Sequence, residues 1–130
     1  RRAASGIVPL RFMKQYSENY QNAGGKLPFS NYYTARYEHA LFEEDLRKRI
    51  VFSTHNLVSE GSFNHFQLIL CRNVLIYFER NLQSRVFRLF DDSLDKLGYL
   101  ALGSKETLRF SELSTKFKAV GKEKIWRKSY

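Results

Sequence analysis

The run Leu68-Ile69-Leu70-Cys71-Arg72-Asn73-Val74-Leu75-Ile76-Tyr77-Phe78 constrains this chain more than any other stretch. It begins apolar, turns abruptly polar at Arg72 and Asn73, and becomes apolar again. A strand of a parallel sheet reads as a near-continuous apolar run, because helices cover both of its faces. The run is therefore read as such a strand. Open α/β sheets bind their ligands just beyond the carboxyl ends of the strands. Cys71, Arg72 and Asn73 fall where this strand would end, which makes them candidate ligand-binding residues.

The next segment has the period of a helix. From Asn81, a candidate N-cap, Leu82, Val86, Leu89, Phe90, Leu94 and Leu97 recur on one helical face. Gly98 then stands where a left-handed C-cap is expected. Tyr99-Leu100-Ala101-Leu102-Gly103 reads as a second short strand, parallel to the first through a right-handed crossover. In the tail, Phe117 to Val120, the turn Gly121-Lys122-Glu123, and Lys124 to Lys128 predict a β-hairpin. A parallel sheet that finishes in an antiparallel hairpin is the arrangement of the common methyltransferase fold.

The first third is patterned differently. Pro9 to Asn22 predicts an amphipathic helix, with Pro9 at its first position and Gly24-Gly25 as its stop. Asn31 to Tyr37 is aromatic and β-prone, and Ile50 to Thr54 is another strand candidate. Between them, Glu38 to Arg49 reads equally as a hairpin connection or a short helix.

The chain has 130 residues, of which 43% are hydrophobic, so it is globular, as one domain or part of one. No apolar run approaches the ~20 residues needed to span a bilayer, and membrane insertion is not expected. Arg1-Arg2-Ala3-Ala4-Ser5 reads as an internal boundary and not a secretory leader. Cys71 is the single cysteine, which rules out an internal disulfide and suits a reducing, cytoplasmic setting. Taken alone it reads as a small buried hydrophobe, not a nucleophile. The formal net charge of +9 favours acidic partners. The basic residues are scattered, so nucleic-acid binding is not indicated.

Cys71-Arg72-Asn73-Val74-Leu75-Ile76-Tyr77-Phe78, with Gln83 and Phe87 in the following helix, resembles the signature of the CheR-type chemotaxis receptor methyltransferases. His55-Asn56-Leu57, Leu100-Ala101-Leu102-Gly103-Ser104 with Glu106 nearby, and Gly6-Ile7-Val8-Pro9-Leu10 extend the similarity over nearly the whole chain. The resemblance implies an α/β fold: part of the S-adenosylmethionine-dependent, Rossmann-like methyltransferase fold, with a small antiparallel β-subdomain and a C-terminal β-hairpin. On it, residues 1–28 are a helical segment of the methyltransferase domain, 29–55 the inserted β-subdomain, and 56–130 the C-terminal half of the domain.

The implied activity is methyl transfer from S-adenosylmethionine to glutamate carboxylates of chemoreceptors, in the cytoplasm. Asn56 and Leu57 match positions that hold the adenosine part of the cofactor. Cys71, Arg72 and Asn73 match the cofactor pocket at the strand's end, and Tyr77 matches the tyrosine that orients the substrate carboxylate. The implied partner is the acidic, glutamate-bearing cytoplasmic region of a chemoreceptor. Three departures stand out. The family's glycine-containing cofactor loop is not visible in this chain, so the 130 residues alone are expected to be inactive. Gln67 stands where family members commonly have Asp. Glu38 to Arg49 lacks the glycines of members that grip a receptor's C-terminal pentapeptide. An incomplete sheet also exposes a strand edge, which invites a dimer. Two other readings remain: a non-catalytic receptor-binding module, and a basic nucleic-acid-binding domain.

Overall fold

The computed structural model describes residues 2–62 and 64–130; Arg1, the first residue of the opening segment, and Phe63 lie outside the described residues. The chain divides into two compact units, Arg1–Thr54 and His55–Tyr130.

The first unit holds a short helix α1 (Arg2–Ser5), strand β1 (Ile7–Pro9), helix α2 (Met13–Asn22), strands β2 (Tyr33–Arg36) and β3 (His39–Phe42), and helix α3 (Glu44–Arg47). Its strands form an antiparallel sheet in the order β1-β3-β2. Pro9 does not open the helix. It pairs with His39 at the end of β1, and the next N–H, of Leu10, donates to Glu38 O at 2.9 Å. A 3₁₀ turn over Leu10–Phe12 must then follow before α2 begins at Met13. Gly24 does end that helix, at φ +94, a left-handed conformation that costs glycine little.

The charged stretch from Glu38 to Arg49 contains both a strand and a helix turn. Tyr37 and Glu38 take φ +48 and +60, which makes the two-residue hairpin turn whose twist matches its flanking strands. The strand expected over Ile50 to Thr54 does not form; these residues are exposed and irregular.

The second unit contains β4 (Phe66–Cys71), α4 (Arg80–Ser93), β5 (Leu94–Leu102), β6 (Phe117–Ala119) and β7 (Ile125–Lys128). The sheet order is β4-β5-β7-β6. β4 and β5 are parallel, so β4-α4-β5 is the expected crossover unit, while β7 is antiparallel to β5 and to β6. The predicted tail hairpin is thus present, and β4 lies at one edge of the sheet. Val86, Phe87 and Phe90 of α4 close a core with Cys71, Leu75, Leu100, Leu102, Leu108, Leu113 and Phe117. Leu68 and Leu70, on the other pleat of β4, remain exposed.

Two local expectations change. The cap of α4 is Glu79 and not Asn81. The left-handed residue after it is Leu97, at φ +59, and not Gly98. Gly98 is required for room instead, because a Cβ there would lie 2.9 Å from Asp95 O and 3.2 Å from Gln67 O. The strand stops at Cys71, where the polar step places its end, and the second apolar half folds into a 3₁₀ turn over Leu75–Tyr77.

Candidate functional site

The turn after β4 is shaped by a carboxylate. Glu106 is buried, at 4% exposure. Its Oε1 accepts from Asn73 N at 2.9 Å and Gly103 N at 2.7 Å. Its Oε2 accepts from Leu75 N at 2.8 Å, with longer contacts to Val74 N at 3.2 Å and Ile76 N at 3.3 Å. A cluster of successive backbone N–H groups forms a concave anion site, here filled by the chain's own side chain. Burial pushes the Glu106 carboxyl up, but the N–H donors of Gly103, Asn73, Leu75 and Ile76 outweigh it and hold it below its ordinary value. Gly103 leaves the room this needs: a Cβ there would stand 2.7 Å from Oε1.

The other side of the turn is held from α4. Gln83 Nε2 donates to Leu75 O at 2.8 Å and Phe78 O at 3.1 Å. Between these two supports Asn73 adopts φ +59, uncommon for a non-glycine residue but tolerated best by Asn and Asp. The turn directs Tyr77 outward, with 80% of the residue exposed, while Leu75 is driven inward to 1%.

Arg72 is exposed beside this turn and lines a cavity of about 490 Å³ at the carboxyl ends of β4 and β5. Leu70, Ala101 and Leu102 wall it, and Ser104, Lys122, Lys124 and the acid Glu123 add polar and charged groups. Cys71 faces the core and is 7% exposed. Burial, then the nearby Glu106 charge, push its thiol up to about 11, so it is a neutral packing group at physiological pH.

Asn56 and Leu57 lie elsewhere on the second unit. Asn56 Oδ1 accepts from Val58 N at 2.9 Å and Ser59 N at 3.3 Å, a side-chain turn that fixes the loop. Leu57 packs against the core and borders a separate depression of about 210 Å³ with Ser59, Arg85 and Leu89. The structure therefore gathers Cys71, Arg72, Asn73 and Tyr77 on one strand end and turn, and sets Asn56 and Leu57 on another loop. Sequence reasoning assigns no role to Glu106 or Gln83 beyond their place in the resemblance. The available signal is Gly103 followed three residues later by an acid at the end of an apolar strand.

Comparison with known proteins agrees with this architecture. The sequence profile of a family described as "CheR methyltransferase, SAM binding domain" matches residues 2–125. The Cher3 protein of Pseudomonas putida is 45% identical over 129 residues, covering 98% of this chain and 47% of that protein. Proteins named chemotaxis protein methyltransferase are 37% identical over 79 residues in Vibrio anguillarum and 39% identical over 64 residues in Listeria innocua. Those matches cover 60% and 49% of this chain, and 28% and 24% of the two relatives. The chain thus spans about half of Cher3 and less of the other two relatives.

Proposed function

The chain belongs to the CheR methyltransferase family, and from that premise we propose that the protein moves a methyl group from S-adenosylmethionine to glutamate carboxylates of chemotaxis receptors in the cytoplasm. The fold, part of an S-adenosylmethionine-dependent methyltransferase fold with an added antiparallel sheet and a terminal hairpin, supports this. So do the names of the relatives, which are chemotaxis protein methyltransferases.

The matched family domain binds S-adenosylmethionine, and the residues present fit one side of that molecule. The cavity at the ends of β4 and β5 has an apolar wall of Leu70, Ala101, Leu102 and Ile125, and a polar side of Arg72, Ser104, Lys122, Glu123 and Lys124. An apolar wall beside polar and charged groups suits a ligand that joins a nucleoside to a charged amino-acid part. Among the described residues, no glycine stands immediately ahead of an α-helix. Arg72 and Asn73, with the backbone at Cys71, would hold the cofactor at the strand end, while Leu57, which with Asn56 is matched to its adenosine part, borders a separate depression.

When bound, the cofactor supplies an electrophilic methyl group on a positively charged sulfur. The chain's own work is orientation. A glutamate is already ionised near neutral pH, so no strong base is required. The Tyr77 hydroxyl donates to one carboxylate oxygen and leaves the other free to attack. Holding that oxygen in line converts an encounter into an intramolecular step. The cations Arg72, Lys122 and Lys124 outnumber the one acid, Glu123, along this cavity and favour an acidic receptor segment over a neutral one.

One observation carries the reading: an exposed tyrosine on the hydrogen-bonded turn that follows Arg72, itself in the wall of the cavity at the strand ends. The test is Tyr77→Phe in the protein at its full natural length. Receptor methylation falls at least about tenfold, the effect of losing one well-placed hydrogen bond in the transition state. Calorimetric affinity for S-adenosylhomocysteine stays near the wild-type value. Unchanged turnover would exclude the assigned role.

A further inference from the structure

Every backbone group that Glu106 grips, apart from Gly103 N, belongs to the stretch that presents Tyr77. We propose that Glu106 is a positioning residue: its buried carboxylate fixes the backbone of residues 73–76 and so sets where the Tyr77 hydroxyl stands. The inference rests on the proposed role of Tyr77 and deepens it.

Packing does not hold the Tyr77 ring, because the residue is 80% exposed. Its aim must come from the backbone beneath it. That backbone passes through a left-handed Asn73, and four consecutive N–H groups, Asn73 to Ile76, converge on one carboxylate. A turn of this kind persists only where its surroundings over-determine it. Without an acceptor, these inward-pointing donors would be left unsatisfied, which native interiors avoid.

The carboxylate is also divided in a way no amide can copy. Oε1 serves Asn73 and Gly103, and Oε2 serves Val74, Leu75 and Ile76. Glutamine has a single acceptor oxygen, so its NH₂ must face one of the two sets of donors. The turn then loses either its tie to Gly103 at the end of β5 or its grip on Leu75. Gln83 keeps the carbonyl side anchored to α4 in either case, so a shift rather than unfolding is expected.

The test is a cycle of Glu106→Gln and Tyr77→Phe in the full-length protein, read by kcat, by S-adenosylhomocysteine affinity and by amide exchange. Glu106→Gln alone lowers kcat by about 10- to 100-fold, the scale of an ångström-sized misplacement. Cofactor affinity changes by less than about threefold, and the Asn73, Leu75 and Ile76 amides exchange faster while those of β5 keep their protection. In the Tyr77→Phe background the same substitution adds less than about threefold, because the group it positions is already gone.

Multiplying losses, or an equal loss of cofactor affinity and kcat, would make Glu106 a general structural element and overturn the proposal. So would wild-type kcat in Glu106→Gln while Tyr77→Phe is impaired. A silent Tyr77→Phe instead overturns the site reading, and this inference with it. If Glu106→Gln does not fold, Glu106→Asp, which keeps the charge on a shorter stem, carries the same cycle. Failure of both to fold assigns the carboxylate to folding and also overturns the proposal.

Discussion

Residues His55–Tyr130 bury a continuous apolar cluster that runs from Cys71 to Phe117, whereas residues Arg1–Thr54 bury only Met13 and Ala40 among their described hydrophobic side chains. The first unit relies on hairpin pairing and a partly exposed aromatic group. Phe29 is its hub, with ring centroids 5.2 Å from Tyr20, 5.6 Å from Tyr33 and 6.1 Å from Phe42. The second unit adds buried polar ties to its core, from Glu106 to the turn after β4 and from Lys128 to the end of α4. A site whose parts must keep their places is better built on the second. A surface that adapts to a partner is better built on the first, where Ile7, Leu41 and Tyr37 stay exposed.

The contrast breaks most directly at Leu100, which is wholly buried in β5. Leu100→Ala removes core volume and leaves a cavity, and destabilises by about 3 to 4 kcal/mol in urea unfolding. A loss under about 1 kcal/mol would show that the second unit lacks a rigid core.

Next comes Lys128, whose Nζ lies 3.2 Å from Asp91 Oδ1 and donates to Asp91 O and Leu94 O at 2.7 and 3.2 Å. It ties β7 to the carboxyl end of α4, where a cation also suits the helix dipole. Lys128→Met leaves the Asp91 carboxylate partly buried without its ion partner. Breaking such a pair costs about 3 kcal/mol, measured by the same unfolding curves. A neutral result would show that the tie adds nothing to the core.

The matching cut in the first unit is Phe29→Ala. The ring is only half-buried, so about 2 kcal/mol is expected, below the cost of a fully buried phenylalanine. Amide exchange shows where the cost falls: the β2 and β3 amides lose protection and the β4 and β5 amides do not. Equal loss in both would dissolve the distinction between the units.

How far the sequence discloses this architecture follows the same divide. β4, α4 and β5 are readable because each buries one face, and burial imposes a period on the residues. The tail hairpin is readable from Gly121 between two β-prone segments. β3 is not, since His39 to Phe42 lies between charged residues and takes its place through pairing with both β1 and β2. Nor is the turn after β4: Val74 to Phe78 is as apolar as a strand, and what holds it in a turn is Glu106, about thirty residues later. A partner so distant leaves no mark on local periodicity. The candidate site is legible to the extent that a polar step at Arg72 and Asn73 marks a strand end. Its supports at Glu106 and Gln83 are legible only in three dimensions.

The smallest effect should come from Tyr130, whose hydroxyl donates to Asp91 at 2.7 Å and adds an outer tie to the Lys128 pair. The residue is 49% exposed. A hydrogen bond to a charged acceptor is worth more than an ordinary one, but solvent screening at this exposure reduces it, so Tyr130→Phe should cost about 0.5 to 1 kcal/mol. Its pH dependence is specific. Burial first, then the hydrogen bond to Asp91 and the charges of Asp91 and Asp92, push the phenol up to about 12 from an ordinary 10.0. The folded state thus holds this proton more tightly than the unfolded chain does. The stabilisation is complete below pH 10 and is lost as pH rises through the folded value near 12. The stability gap between wild type and Tyr130→Phe should therefore be flat from neutral pH to about pH 9 and close above 10. A gap that stays unchanged as pH rises through 12 would show that the phenol's proton does not carry the tie.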